Sequence, residues 1–227
     1  MTVHFIGAGP GAADLLTLRA VRLLQESPIC LYAGTYIDDE VLSHCGPETE
    51  LIDTAYLDLD AITATVVAAH DAGHDVARLC SGDPSIYSAI AEQTRRLDAA
   101  GVPWDLTPGV PAYAATAALI GRELTVPEVA QSVVLTRAQK DSTKMPPGET
   151  LAAFAATNAT LVLHLAIRHT RRLADELSAH YGANCPVVVG SQVTQPEELI
   201  LRGTLADIAD QVEAAGLTQA AVIIVGW

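Results

Sequence analysis

The 227-residue chain predicts an α/β fold of two domains, a mainly parallel sheet followed by a mixed one. Three observations carry that expectation. Short apolar runs of strand length alternate with helix-periodic stretches through the first half, the pattern of right-handed crossovers in a parallel sheet. Three of those runs end in loops that hold both glycine and proline: GAGPG, SGDPS and TPGVPA. In the second half two apolar runs flank TQPEE, which reads as a hairpin inserted among βα units and makes that sheet mixed. The connector LIGRELTVPEVAQ separates the two textures, so the expected domains are 1–120 and 121–227, with a cofactor cleft between them.

Taken in order, residues 3–6 read as the first strand, and 15–24 follow as a helix with Leu16, Ala20, Leu23 and Leu24 on one face. A strand at 29–32, a short helix near 38–43, a strand at 50–53 and a helix at 58–72 come next. A strand at 75–80 leads through SGDPSIY into a helix over 85–99, and WDLTPGV closes a fifth strand before an alanine-rich helix. Beyond the connector, strands are expected at 132–136 and 160–165, a helix at 166–180, and the hairpin at 187–193 and 199–203. A helix at 206–215 and a strand at 221–225 complete the reading. The chain stops at Trp227, directly after that strand, which leaves room for a missing tail.

The composition excludes several function classes. A net charge of −14 argues against nucleic-acid binding, which needs a basic surface. No apolar run reaches the ~18 residues of a membrane span, and no basic-then-apolar leader opens the chain, so the expected location is cytoplasmic. The four cysteines include no CxxC pair and no close histidine partner at metal-ligand spacing, so no metal site is expected. Cys30, Cys80 and Cys185 sit in or beside apolar runs, as small buried hydrophobes do. G-x-S-x-G and G-x-x-x-x-G-K-[ST] are both missing, which removes serine hydrolysis and P-loop chemistry. Positive charge is carried by eleven arginines and two lysines, a bias that suits bidentate pairing with carboxylates.

The opening HFIGAGPGAAD runs strand, glycine turn, helix, the order of a nucleotide-binding site. It departs from the dinucleotide fingerprint G-x-G-x-x-G at the third glycine, where Ala12 stands. Pro10 removes an N–H from the stretch where a pyrophosphate seeks donors. The acidic residue expected about 20 positions further on is missing after the second strand, which ends in Ala33-Gly34-Thr35. A nicotinamide-dependent oxidoreductase is therefore the weaker alternative. In CSGDPSIY, Asp83 and Pro84 suit an ordinary helix start, N-cap then first helical position. The functional alternative makes Gly82 a point of close backbone approach and Asp83 an acceptor for a ribose hydroxyl or an ammonium.

VHFIGAGPGAADLLTLRA, LYAG, ARLCSGDPSIYSAIAEQ, TPGVPAYAATAALIGRELTVPEVAQSVVLTR and ATLVLHLA together resemble the tetrapyrrole methylases, over nearly the whole chain and in family order. The combination of SGDPSIY with ELTVPEVAQSVVLTR is most similar to the branch that methylates C11 of a precorrin. The resemblance implies methyl transfer from S-adenosyl-L-methionine, leaving S-adenosyl-L-homocysteine, to a ring carbon of a small-molecule tetrapyrrole, by a homodimer. It places cofactor contacts at Pro10, at Ser81, Gly82, Asp83 and Ile86, and at Pro111 and Ala112. In the second domain it places them at Leu165, where relatives often have methionine, and near Val188 and Ala221. Pro111-Ala112 replaces a hydroxyl-bearing pair common in the family. Candidate binders of substrate carboxylates are Arg19, Arg137 and Lys144; no residue is singled out as a catalytic base. Cobalt-bearing substrate, another ring position and a non-catalytic binding protein are the other readings.

Overall fold

The computed structural model describes residues 1–138 and 145–227, in two compact units, Met1–Pro111 and Ala112–Trp227. The first unit is built from β1 (Val3–Gly7), α1 (Leu18–Glu26), β2 (Ile29–Tyr32), α2 (Asp39–Leu42), β3 (Glu50–Asp53), α3 (Leu59–Asp71), β4 (Val76–Cys80), α4 (Ile90–Ala100) and β5 (Trp104–Thr107). Its five strands are all parallel in the order β3-β2-β4-β1-β5. A parallel sheet buries both faces, and alternation divides them: Val3 and Phe5 of β1 pack with Val66 of α3 and Leu97 of α4. Ile6, Ala77 and Leu79 turn the other way, onto Ala20 and Leu24 of α1 and Val41 of α2.

Helix starts follow their caps. The Thr17 side chain accepts from Ala20 N–H at 3.1 Å, so α1 begins at Leu18, and the expected start at 15 belongs to a short 3₁₀ turn, Ala13–Leu15. Asp58 caps α3 in the same way. The helix expected from 85 begins only at Ile90. Tyr87 and Ala89 stand in the left-handed region, at φ +53° and +55°, and a helix cannot run through them. The reading of Asp83-Pro84 as a helix cap is thereby corrected.

The second unit holds α5 (Ala112–Leu119), β6 (Val133–Arg137), α6 (Leu151–Ala155), β7 (Thr160–His164), α7 (Thr170–Tyr181), β8 (Pro186–Ser191), β9 (Leu199–Thr204), α8 (Ile208–Ala214) and β10 (Ala221–Val225). The order is β6-β7-β10-β8-β9, with β6 and β7 parallel and the remaining pairs antiparallel, so this sheet is mixed as the hairpin signal implied. Leu161, Leu163, Val189 and Ile223 face Leu173 and Leu177 of α7 and Ile208 of α8. Val162, Val222 and Ile224 occupy the other face with Tyr113 of α5. Helix α5, which a division at 120 assigns to the first half, packs on this sheet.

The small residues of α5 serve that packing. A Cβ added at Gly190 of β8 would lie 2.4 Å from Thr116 Oγ1 and 2.9 Å from both Thr116 Cγ2 and Val193 Cγ1. Gly190→Ala is expected to destabilise the protein by about 2 kcal/mol through overpacking, and Thr116→Ala in the same chain to recover part of that loss. Urea denaturation of the two single variants and the double variant checks this, and additive losses would contradict it.

Candidate active site at two sheet edges

Strands β1, β4 and β5 are neighbours, so parallel pairing brings their three following loops to one carboxyl edge, where ligands of open α/β sheets bind. The loops touch through glycine. Gly9 and Gly82 exchange backbone hydrogen bonds, at 3.2 and 2.8 Å, and Ala8 N–H donates to the Cys80 carbonyl at 2.8 Å. A Cβ on Gly7 would stand 2.4 Å from Gly109 N, and one on Gly109 2.2 Å from the Gly82 carbonyl oxygen. No side chain fits at either position.

Asp83 locks the arrangement. One carboxylate oxygen accepts from the Ser85 N–H at 2.8 Å and from the Ser85 hydroxyl; the other accepts from Gly109 N–H at 2.8 Å. Burial pushes this carboxyl up, but the hydrogen bonds from Ser85 and Gly109 outweigh it and hold Asp83 below the usual carboxylate range. It is therefore an anion that ties the second loop to the third. Pro10 and Gly82 are buried, Asp83, Ile86 and Pro111 are half-buried, and Ser81 is exposed, all on these three loops.

The N–H groups of Ala8, Gly9, Gly82 and Gly109 all donate within the protein. Pro10 has none. A pyrophosphate needs such donors turned outward, so this edge suits a nucleoside without a phosphate chain. That is the distinction the proline and Ala12 suggested in the sequence.

In the second unit, Leu165 follows β7 and Ala221 opens β10. Leu163 pairs with Ile223 in antiparallel register, which sets Leu165 and Ala221 at the same sheet edge. Ala221 pairs with Ser191, so Val188 lies three residues further along β8, away from that edge. Four non-glycine residues there adopt left-handed backbone: Leu165 (φ +51°), Gln192 (+44°), Thr194 (+66°) and Ala220 (+51°). Each such residue costs about 1 kcal/mol or more, and strain of this kind gathers at functional sites. Leu165 is also 52% exposed, unusual for leucine beside a strand. Next to it, His164 meets the Tyr113 ring edge-on at 6.3 Å. Burial holds the His164 pKa below its usual value, so the imidazole is neutral at pH 7. Ala112 opens α5, one residue before that tyrosine.

Of the candidate carboxylate binders, Arg19 is exposed in the first turn of α1, and Arg137 ends β6 in register with His164. Lys144 lies outside the described residues. Sequence reasoning marked the glycine and proline of TPGVPA but named only Pro111 and Ala112 as contacts in the third loop; the joint between loops depends on Gly109. The available signal was a glycine shortly after each of three strands. Among the described residues no cluster of His, Cys, Asp or Glu could hold a metal ion.

Two sheets of this kind, each with its strained or glycine-built edge, define the class. Residues 2–209 match the family model of tetrapyrrole (corrin/porphyrin) methylases, and the chain belongs to that family. It is 56% identical over 226 residues to the precorrin-4 C(11)-methyltransferase of Rhodococcus erythropolis, covering 100% of this chain and 91% of the relative. Identity to the cobalt-precorrin-4 C(11)-methyltransferase of Priestia megaterium is 35% over 228 residues, 100% and 88% of the two chains. The X-ray structure of a cobalt precorrin-4 methyltransferase superposes with a TM-score of 0.95 at 34% identity, covering 100% of this chain and 95% of the other. The uroporphyrin-III C-methyltransferase of Thermus thermophilus, solved as a complex with S-adenosylhomocysteine, gives a TM-score of 0.82 at 26% identity, with coverages of 100% and 92%.

Proposed function

We propose that this protein is an S-adenosylmethionine-dependent C-methyltransferase that methylates C11 of precorrin-4 in corrin-ring synthesis. Identity of 56% over 226 residues to a relative of that activity supports the reaction. The observation that carries the cosubstrate is the inward use of the loop N–H groups beside Pro10, a donor set that fits a phosphate-free adenosyl ligand. The higher identity to the metal-free relative than to the cobalt one, 56% against 35%, favours metal-free precorrin-4 as substrate.

S-Adenosylmethionine supplies a methyl group already activated on a sulfonium. The chain's own work is then to bind, align and keep out water, and alignment alone can be worth ~7–11 kcal/mol. In the first unit Pro10, Ser81, Gly82, Asp83, Ile86 and Pro111 hold the cosubstrate; in the second Ala112, Leu165 and Ala221 do so, largely through backbone. The Asp83 anion contributes a negative charge that suits a sulfonium-bearing amino-acid ligand. Arg19, Arg137 and Lys144 take substrate carboxylates. Among the described residues no helix is long and apolar enough to cross a membrane, in keeping with a cytoplasmic enzyme, and the family resemblance supports a homodimer. A net charge of −14 speaks against a nucleic-acid partner.

Calorimetric titration with S-adenosylhomocysteine, with NADH and NADPH alongside, tests the cosubstrate. One saturable site per chain at micromolar affinity or better is expected for the first ligand and none for the nicotinamides. Saturable nicotinamide binding without S-adenosylhomocysteine binding would overturn the reading.

A further inference from the structure

Arg78 sits in the middle of β4, on the side of the sheet that carries Val76 and Cys80 and packs against α3 and α4. Arg78 is half-buried, yet both hydrogen-bond partners of its guanidinium are uncharged. Nη1 donates to Thr54 Oγ1 at 3.0 Å and Nε to Gln93 Oε1 at 3.4 Å. Burial lowers its pKa, but an arginine stays charged at any physiological pH. Partial desolvation of a cation with neutral partners carries a cost, so its presence asks for a role.

The network continues toward the second loop. Gln93, itself buried in α4, donates from Nε2 to the Ser88 carbonyl at 3.2 Å. The Ser88 hydroxyl donates to the Pro84 carbonyl, one residue from Asp83. Tyr87 and Ala89, which flank Ser88, are both in left-handed backbone. Neither residue favours that conformation, so the 84–89 turn is held from outside.

We infer that Arg78 and Gln93 are positioning residues for methyl transfer: through Ser88 they hold the strained 84–89 turn, and with it Ser81, Gly82 and Asp83, in the shape that receives the cosubstrate. The inference rests on reading that loop as part of the S-adenosylmethionine site. Arg78 organises the turn by orienting the Gln93 amide: with Oε1 engaged by the guanidinium, Nε2 faces Ser88.

Gln93→Glu separates this role from a merely structural one. The new carboxylate still accepts from Arg78, now as a charged pair, but it has no N–H for the Ser88 carbonyl. Hydrogen exchange of the ligand-free variant, read by mass spectrometry, should show amides in 85–89 exchanging about tenfold faster, with exchange elsewhere in the first unit and the Tm both unchanged. S-Adenosylhomocysteine should bind about tenfold more weakly. Arg78→Lys keeps the charge but cannot fork between Thr54 and Gln93, and should move both readouts in the same direction. Unchanged exchange in 85–89 in Gln93→Glu would overturn the inference, as would faster exchange spread evenly through the unit. The exchange readout needs no ligand. Failure of the wild-type protein to bind S-adenosylhomocysteine would therefore count against the proposed function alone, and the relay would still be judged by exchange.

Discussion

Gly109→Ala is expected to destabilise the first unit by about 3 kcal/mol or more and to abolish binding of S-adenosylhomocysteine. The added Cβ would lie 2.2 Å from the Gly82 carbonyl oxygen and 2.8 Å from both Cα and the carbonyl carbon of Gly7. Every one of these atoms is backbone, at the end of β1 or in the loop after the neighbouring strand β4. No rotamer change relieves such a contact; strands or loops must part, which places the cost at or above the upper end of ordinary overpacking. Parting the loops also breaks the Gly109–Asp83 hydrogen bond, so stability and ligand binding fall together. Gly101→Ala is the matching control. Gly101 has left-handed backbone at φ +71° but nothing within 4 Å of an added Cβ, so only the conformational cost of about 1 kcal/mol applies. Urea denaturation of both variants decides the matter, and equal losses would contradict the touching-glycine account.

The second large effect is at Asp83. Replacing it with alanine removes the acceptor of three hydrogen bonds and leaves the Gly109 N–H without its partner. For a half-buried carboxylate the loss should be about 2 kcal/mol of stability, with S-adenosylhomocysteine binding weakened by at least about tenfold. The pH dependence has a definite sign. The folded pKa of Asp83 is depressed below its unfolded value of about 3.9. Its stabilisation is therefore fully present above that unfolded value and is lost as pH falls below it, through the folded pKa. Asp83→Asn should remove this component from the acid limb of a stability–pH curve, so the gap to wild type narrows below pH ~4. A gap that stays constant down to the acid transition would show that Asp83 does not tie the loops as an anion.

Much of this architecture was legible in the residues. Strands such as 29–32 and 221–225 announced themselves as apolar runs bounded by turns, and TQPEE marked the antiparallel hairpin. What escaped detection depends on contacts between segments remote in sequence. SGDPSIYSAI carries a good helix-start signal at Asp83-Pro84, yet the aspartate is engaged by Gly109, 26 residues away, and the helix waits until Ile90. No local pattern requires left-handed backbone at Tyr87 or Ala89, or at Leu165; tertiary contacts impose it. Helix α5 carries an apolar, small-residue signature that suits either half, and the packing of Tyr113 on Val162, Val222 and Ile224 with the fit of Thr116 to Gly190 shows which sheet it covers. At the candidate site, Pro10 and Ala12 already disfavoured a dinucleotide, because both act through local backbone chemistry. The inward turn of the donors at Ala8, Gly9, Gly82 and Gly109 became visible only with the loops assembled.

The most direct measurement of the proposed activity is a single incubation of the purified protein with precorrin-4 and S-adenosylmethionine labelled with carbon-13 in its methyl group, the product being read by mass spectrometry and NMR. The expected result is one labelled methyl per tetrapyrrole, bonded to C11, with S-adenosylhomocysteine formed in equal amount. Label on a different ring carbon, or no transfer while the protein still binds S-adenosylhomocysteine, would contradict the assignment.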